Sequence, residues 1–160
     1  MIDSEYKILF VCMGNICRSP TAEAVLHKRL ADQKLLHIVK IDSAGTHNFH
    51  PDAPPDERSQ AHALKRGYDL SNLRARPVVE SDFEEFDLLL TMDWDNRALL
   101  ESRCPTKHIH KIRGLAEFLQ KTQASDTSSF RRVRSSSLRP HARRMHRARR
   151  FHSSLPEVQR

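Results

Sequence analysis

The segment from Val11 to Pro20 constrains the fold of this chain more than any other, because it joins a buried strand to a helix through a short loop. The preceding run Ile8–Val11 is apolar throughout, which is typical of a buried strand. Cys12 follows this run directly, and five residues separate it from Arg18. After Pro20 the apolar residues recur at the spacing of an amphipathic helix. The order of strand, loop and helix predicts an anion-binding loop at the amino end of that helix.

The residues between Cys12 and Arg18 have the chemistry to hold a tetrahedral anion. Their backbone N–H groups can turn inward as a concave nest, with the positive end of the helix pointing into it. A cysteine in that field ionises more readily than a free thiol and becomes a nucleophile. The Arg18 guanidinium offers parallel donors to two phosphate oxygens. The spacing alone also fits a buried cysteine and a solvated arginine, but Gly14 where the backbone must turn and Ser19 beside the thiol favour catalysis.

Lys7–Ala24 resembles the start of the low-molecular-weight protein tyrosine phosphatases. The likeness continues through four further motifs, which are Asp42–Thr46, Pro55–Ser59, Arg74–Pro77 and Leu89–Asp93, and it covers roughly residues 5–120. The resemblance implies hydrolysis of a phosphotyrosine-containing protein or a small aryl phosphate through a cysteinyl-phosphate intermediate. It assigns the nucleophile to Cys12 and the stabilisation of the transition state to Arg18.

The same resemblance implies roles for the rest of the loop. Phosphate binding is expected from the loop residues and the start of the helix, namely Met13, Gly14, Asn15, Ile16, Cys17 and Ser19. Asn15, Ser19 and Ser43 are expected to form a hydrogen-bond network that fixes the loop and the thiolate. In the family, a cysteine placed like Cys17 can form a reversible disulfide with the nucleophile, although Cys17 also fits a small apolar loop residue.

Three positions outside the loop bear on the site. Phe49 falls where the family carries an aromatic wall that stacks on the phenol ring, although it also fits a core contact. Asp93 follows a predicted strand and is interpreted as a helix cap with a structural role. Leu73 stands where the family often has a histidine, so one member of the network is missing.

Strand and helix patterns alternate along the first three quarters of the chain. Strands are predicted at Lys7–Val11, Ile38–Ser43, Leu88–Thr91 and Ile109–Ile112, and helices at Thr21–Gln33, Asp56–Arg66, Ser81–Phe86 and Trp94–Ser102. This alternation predicts an α/β fold, a three-layer sandwich with a four-stranded parallel sheet and a phosphate loop after the first strand. Gly67 is expected to end the second helix, and Ser81 with Glu84 to form a capping box. Ligands of such folds bind at the carboxyl ends of the strands, where Cys12 lies.

The pattern stops near residue 123, which divides the chain into a phosphatase-like domain at 1–123 and a tail at 124–160. The tail holds ten arginines and two acids, Asp126 and Glu157, for a net charge of +8, so residues 1–123 carry −1. It has no sustained apolar face, and we expect it to be irregular, either disordered or translated in a shifted reading frame. Codon degeneracy permits a neighbouring frame in which residues 130–151 read as an amphipathic helix.

The tail also lacks two features that the family normally places in this part of the chain. These are an Asp-Pro loop that carries the general acid and a closing amphipathic helix, and no Asp-Pro pair follows residue 52. We therefore expect impaired activity, with Asp126 the only acid near the general-acid segment.

Other function classes fit the sequence less well. The ten histidines include no set with zinc spacing, so we expect neither a metal nor another cofactor. An arsenate reductase of the same fold would need two further cysteines, and only Cys104 follows the loop. A non-catalytic protein that binds phosphate or nucleic acid through the tail is the remaining alternative. The near absence of aromatic residues in the tail argues against nucleic acid.

The sequence favours a cytoplasmic protein. Three cysteines with no disulfide-scaffold spacing are typical of a reducing compartment. The early charges of Asp3, Glu5 and Lys7 argue against a signal peptide. No apolar stretch approaches the roughly 20 residues of a membrane span, so no membrane partner is expected.

Overall fold

The computed structural model describes residues 5–118 and shows an α/β fold around a four-stranded parallel sheet. The strands are β1 (Tyr6–Cys12), β2 (Val39–Gly45), β3 (Leu88–Thr91) and β4 (Ile112–Gly114). The helices are α1 (Arg18–Asp32), α2 (Glu57–Leu64), α3 (Asp82–Glu85) and α4 (Trp94–Arg103), with 3-10 helices at Thr106–Lys111 and Leu115–Phe118. The predicted fold class is confirmed.

The strand order β2-β1-β3-β4 places the functional edge of the sheet. The chain leaves β1 towards β2 on one side and later returns to β3 on the other side. Because parallel crossovers are right-handed, this reversal puts α1 and α4 on opposite faces of the sheet. A crevice therefore opens at the carboxyl end of β1, which is the position where open α/β sheets bind their ligands.

Burial on both faces explains the apolar composition of the central strands. Leu9, Val11 and Leu89 are completely buried, because one helical layer covers each side of a parallel sheet. Phe83 and Leu100 close the core from the helices. This packing fixes the direction of β1, and so it fixes where Cys12 emerges.

The last predicted strand is wrong in its position. Residues 106–111 form a 3-10 helix after Pro105, and β4 begins only at Ile112. Ile109 is partly exposed while Ile112 is buried, so the two do not share a core face as the strand prediction requires. His108 and His110 therefore lie on the 3-10 helix and do not alternate across a strand.

The capping box predicted at Ser81 is also wrong. Ser81 already has helical backbone angles, and its side chain makes no capping hydrogen bond. Asp82 instead accepts a hydrogen bond from the Val79 N–H, and Glu84 pairs with Lys107. The bounds of α3 differ from the prediction by only one residue at each end, whereas α1 begins three residues earlier than predicted. Helix α2 has Asp56 as its N-cap.

Candidate active site

Cys12 ends β1 and is buried, and the loop that follows it runs directly into α1. Three backbone hydrogen bonds hold this loop from the side of β2 and α2. The Thr46 N–H donates to the Cys12 carbonyl at 2.8 Å, and the His47 N–H donates to the Met13 carbonyl at 2.9 Å. The Asp56 N–H donates to the Ile16 carbonyl at 2.7 Å. The loop is therefore braced at its beginning and near its end.

Gly45 lets β2 approach this loop closely. A Cβ atom at this position would lie 2.8 Å from the Met13 carbonyl oxygen and 2.9 Å from that of His47. Gly14, by contrast, has only the His50 ring at 3.4 Å from an added Cβ. The turn predicted at Gly14 is made by Asn15, which has a φ of 53° in the left-handed region that asparagine tolerates. Close packing therefore requires glycine at Gly45 more strictly than at Gly14.

Asn15 is the centre of a buried hydrogen-bond network. The backbone N–H of Arg76 donates to Asn15 Oδ1 at 2.9 Å, which fixes the orientation of the side-chain amide. Its Nδ2 then donates to the hydroxyls of Ser19 and Ser43, each at 2.9 Å. The Arg76 guanidinium bonds to carboxylates on both sides, so the segment that carries this N–H is itself held.

Ser19 connects this network to the sulfur of Cys12. Ser19 Oγ lies 3.0 Å from Cys12 Sγ and is completely buried. Because this oxygen already accepts a hydrogen bond from Asn15, its own proton is available for the sulfur. The arrangement can therefore donate a hydrogen bond to a thiolate at Cys12.

Glu23 extends the network in a way that the sequence analysis missed. Ser43 Oγ donates to Glu23 Oε2 at 2.5 Å, so a carboxyl group terminates the chain of hydrogen bonds. Burial raises the pKa of Glu23 to about 7, even though the Ser43 hydrogen bond acts in the opposite direction. Ser19 and Glu23 are four residues apart on α1 and so share a helix face. That spacing was the signal that could have identified Glu23.

Arg18 points away from the network and pairs with an acid at the start of α4. Its Nη1 lies 2.5 Å from Asp93 Oδ2, and its side chain is about half exposed. The other oxygen of Asp93 accepts from the Asn96 N–H and caps α4 as predicted. Burial opposes ionisation of Asp93, but the hydrogen bonds from Asn96 and Arg18 keep the pKa of Asp93 below its ordinary value. Asp93 therefore also orients Arg18, which the cap interpretation missed.

Phe49 lies at the surface beside the loop. Its side chain is exposed, so the alternative of a core contact is wrong. The ring stacks on His47 with 4.8 Å between centroids and meets the edge of His50. His50 in turn lies against Gly14, so this aromatic cluster borders the loop.

Cys17 is exposed at the end of the loop, where its sulfur lies 2.9 Å from Ser59 Oγ. It is a free thiol, as are Cys12 and the buried Cys104. Met13 is partly exposed and Ile16 is half-buried in the same loop. The structure thus brings the predicted residues of the loop together with Ser19 and Ser43.

Several predictions concern residues outside the described part of the chain. Asp126, the arginine-rich tail and its predicted irregularity or frame shift all lie beyond residue 118. Within residues 5–118, no group of histidine, cysteine and acidic side chains could hold a metal ion. None of the helices in this range combines the length and apolar character that crossing a membrane requires.

Comparison with known proteins places this geometry in a family. The family model described as low molecular weight phosphotyrosine protein phosphatase matches residues 7–129. The low molecular weight protein-tyrosine-phosphatase YfkJ of Bacillus subtilis is 36% identical over 120 residues, which are 75% of this chain and 77% of that protein.

Solved structures give the same result. The crystal structure of YfkJ superposes with a TM-score of 0.72 over 76% of each chain. A protein tyrosine phosphatase from Entamoeba histolytica, with Hepes in its active site, is 42% identical. It superposes with a TM-score of 0.71 over 73% of this chain and 74% of the other.

Proposed function

This chain belongs to the low molecular weight phosphotyrosine protein phosphatase family, and from this premise we propose that it hydrolyses phosphotyrosine with Cys12 as the nucleophile. The observation that carries the proposal is the hydrogen-bonded series from Asn15 through Ser19 to the sulfur of Cys12. A series of donors aimed at the sulfur stabilises a thiolate, which is the reactive form of cysteine.

The reaction has two steps. The Cys12 thiolate attacks phosphorus and the bond to the phenolic oxygen breaks, which gives a cysteinyl-phosphate and a phenolate that takes its proton from water. Water then attacks phosphorus, the P–S bond breaks, and inorganic phosphate leaves with the thiolate restored. Arg18 and the backbone N–H groups of residues 13–17 and of Ser19 hold the phosphate oxygens through both steps.

Asp93 has a positioning role in this mechanism. It holds one nitrogen of Arg18 beside the loop before substrate arrives, and the guanidinium keeps further N–H groups for phosphate. A preoriented arginine loses less conformational freedom when the anion binds. The exposed ring of Phe49 supplies an apolar wall against which the phenol of the substrate stacks.

Activity on phosphotyrosine itself is reduced in this proposal, because the sequence holds no Asp-Pro pair to carry a general acid. Asp126 is the remaining candidate for the proton donor. The alternative of an arsenate reductase lacks support, because Cys104 is the single cysteine after the loop and is buried against the Pro105 carbonyl.

The proposal is tested by hydrolysis of p-nitrophenyl phosphate. The full chain should release p-nitrophenolate, and Cys12→Ser should abolish turnover while phosphate still competes for the site. Cys104→Ser is the matched control, because it removes a thiol that lies outside the loop. Turnover by Cys12→Ser at the rate of the parent would disprove the assignment of the nucleophile.

A further inference from the structure

A cavity opens beside the phosphate loop, between α1 and α2, with a volume of about 380 Å³. The phosphate loop contributes Cys17, helix α1 contributes Thr21 and Val25, and residues 56–68 in and around α2 contribute the rest of the wall. Its volume lies at the lower end of the range for small-ligand sites, which suits one or two side chains better than a large cofactor. Apart from Cys17, the cleft lining contains none of the residues assigned to the proposed phosphate site.

The cleft has an apolar floor and a basic rim. Val25, Ala63 and the ring of Tyr68 line the floor. Arg58, His62 and Arg66 stand at the rim, where all three are exposed. Arg58 lies 3.7 Å from Asp56, which partly neutralises it, whereas Arg66 has no ion pair among residues 5–118. The charge at the far end of the cleft is therefore uncompensated within this part of the chain.

Cys17 connects the cleft to the phosphate loop. It belongs both to the loop and to the cleft lining, and its sulfur meets Ser59 at the start of α2. The cleft therefore lies along the surface next to any group that binds at the phosphate loop.

The length of the cleft sets the size of its occupant. Arg58 and Arg66 are eight positions apart along α2 and its end, which corresponds to about 12 Å at the rise of a helix. An extended peptide covers about 12 Å with roughly four residues. The cleft thus matches a short stretch of chain on one side of a phosphotyrosine.

We propose that this cleft binds the residues that flank phosphotyrosine in a protein substrate, with an apolar side chain on the floor and an acidic side chain against Arg66. The inference rests on the proposed function, since it places the phosphotyrosine itself in the loop. It makes Arg66 a specificity-determining residue for acidic substrates. An acid close to the phosphotyrosine meets the paired Arg58, so the preference is strongest for an acid three or four residues away.

The test measures binding of fluorescent phosphotyrosine peptides in the Cys12→Ser background, where turnover is absent. The first two peptides each carry acidic and apolar residues next to phosphotyrosine. In one peptide these residues lie on the carboxyl side of phosphotyrosine, and in the other they lie on the amino side. Two further peptides replace the acids by their amides or the apolar residue by serine. Each is bound to protein with Arg66, with Arg66→Glu, and with Lys65→Glu as a charge-matched control outside the cleft.

We expect Arg66→Glu to weaken binding of one acidic peptide by about three- to tenfold, while Lys65→Glu changes it by less than about twofold. The amide and serine peptides should bind more weakly than that acidic peptide, and Arg66→Glu should not weaken the amide peptide further. Equal effects of the two substitutions on every peptide, or no preference for acids, would overturn the inference.

A separate measurement tests the proposed function. The parent, Arg66→Glu and Lys65→Glu proteins, each with an intact Cys12, are assayed on p-nitrophenyl phosphate. This substrate has no flanking residues, so all three proteins should have the same kcat/KM. If the parent did not hydrolyse p-nitrophenyl phosphate, the proposed function would be disproved. The effect of Arg66→Glu on binding of the acidic peptides would still decide the role of the cleft.

Discussion

At the scale of a residue, the ion pair with Asp93 fixes the orientation of the Arg18 guanidinium. Asp93 holds the guanidinium before substrate binds, so the geometry of its planar N–H groups matters more than its charge alone. We expect Arg18→Lys to lower kcat by about 10²–10³-fold, because an ammonium cannot make two parallel bonds to phosphate. Asp93→Asn should cost less, about tenfold, because it loses only the preorientation.

Steady-state kinetics on p-nitrophenyl phosphate measures both effects. Arg113→Lys is the matched control, because Arg113 pairs with Glu117 and not with Asp93. A rate for Arg18→Lys within twofold of the parent would show that Arg18 does not hold the transition state.

Glu23 makes stability depend on pH in an unusual direction for an acid. Its pKa is about 7 in the folded protein against 4.5 in the unfolded chain, so between these values the folded state keeps a proton that the unfolded state releases. The contribution of this proton to stability is complete below about pH 4.5 and is lost as pH rises through 7.

We therefore expect Glu23→Gln to stabilise the protein by about 1–3 kcal/mol at pH 8 and to leave it nearly unchanged at pH 4.5. The glutamine retains an oxygen for the Ser43 hydroxyl and has no proton to lose. Urea unfolding across this pH range measures the difference, with the exposed Glu80→Gln as control. An unchanged pH slope in Glu23→Gln would contradict the assignment.

We expect Cys17, in the same loop as Cys12, to limit oxidative damage at the nucleophile. Peroxide converts the Cys12 thiolate to a sulfenic acid, and attack by the Cys17 thiol would then form a disulfide and release water. We expect activity lost to peroxide to return with a thiol reductant in the parent and to return much less in Cys17→Ser. Cys104→Ser should recover like the parent. Equal recovery in Cys17→Ser would remove the protective role.

Residue types and their order allowed prediction of the loop contacts, but not of the groups behind them. The motif and the family resemblance named Asn15, Ser19 and Ser43, and the structure places both serine hydroxyls within hydrogen-bond distance of the Asn15 amide. Glu23 escaped because a carboxyl group on a helix is ordinarily assigned to the solvent face. Its burial depends on how α1 packs on β2, which is a property of the tertiary structure.

At the scale of elements, the tightest constraint is the end of β2. An added Cβ at Gly45 would collide with the backbone carbonyl oxygens of Met13 and His47. Because these are backbone atoms, relieving the collision would require the phosphate loop itself to shift. We expect Gly45→Ala to lower the free energy of unfolding by about 1–3 kcal/mol and to weaken phosphate binding. Urea unfolding and competitive inhibition by phosphate measure these two effects.

Gly114→Ala is the matched control for that substitution. Its nearest neighbour would be the flexible side chain of Glu117 at 3.4 Å, so we expect a change within about 0.5 kcal/mol. If the two alanine variants were equally stable, the close approach of β2 to the loop would not be required.

Among the strands, the sequence predicted best those with continuous apolar runs. The prediction for β3 matches its observed bounds, and β1 differs by one residue at each end. The prediction failed at β4 because Ile109 and Ile112 have equal hydrophobicity, and nothing in the pattern shows that a turn after Pro105 exposes the first. The turn in the phosphate loop was predicted at Gly14 because glycine is the usual residue for a left-handed conformation. In the structure Asn15 adopts that conformation instead.

At the scale of the whole molecule, the sequence holds no Asp-Pro pair, and we expect this to decide which substrates turn over. A general acid contributes about 10²–10⁴-fold when the leaving group needs a proton. We expect kcat/KM to fall steeply from p-nitrophenyl phosphate to phenyl phosphate and phosphotyrosine, because p-nitrophenolate leaves readily as an anion. A series of substituted phenyl phosphates measures this dependence on the pKa of the leaving group.

A flat dependence on the leaving group, with a bell-shaped pH profile, would contradict this expectation and require an acid elsewhere. Asp126→Asn would then identify whether the tail supplies it. Sequencing this gene across codons 120–135 and comparing it with close relatives tests the shifted reading frame independently of any activity. The absence of a shift would contradict that hypothesis.

The direction of the parallel strands also decides how this protein can be attached to a surface. All loops that build the site leave from the carboxyl ends of β1, β2 and β3. The connection at residues 33–38 lies at the opposite edge, where it precedes β2 and is largely exposed. Lys34 in this connection already has a φ of 59°, so a glycine-rich tether inserted there meets little backbone strain. Immobilised through that tether, the protein would present the mouth of its site outward to a flowing sample, as an oriented biosensor requires.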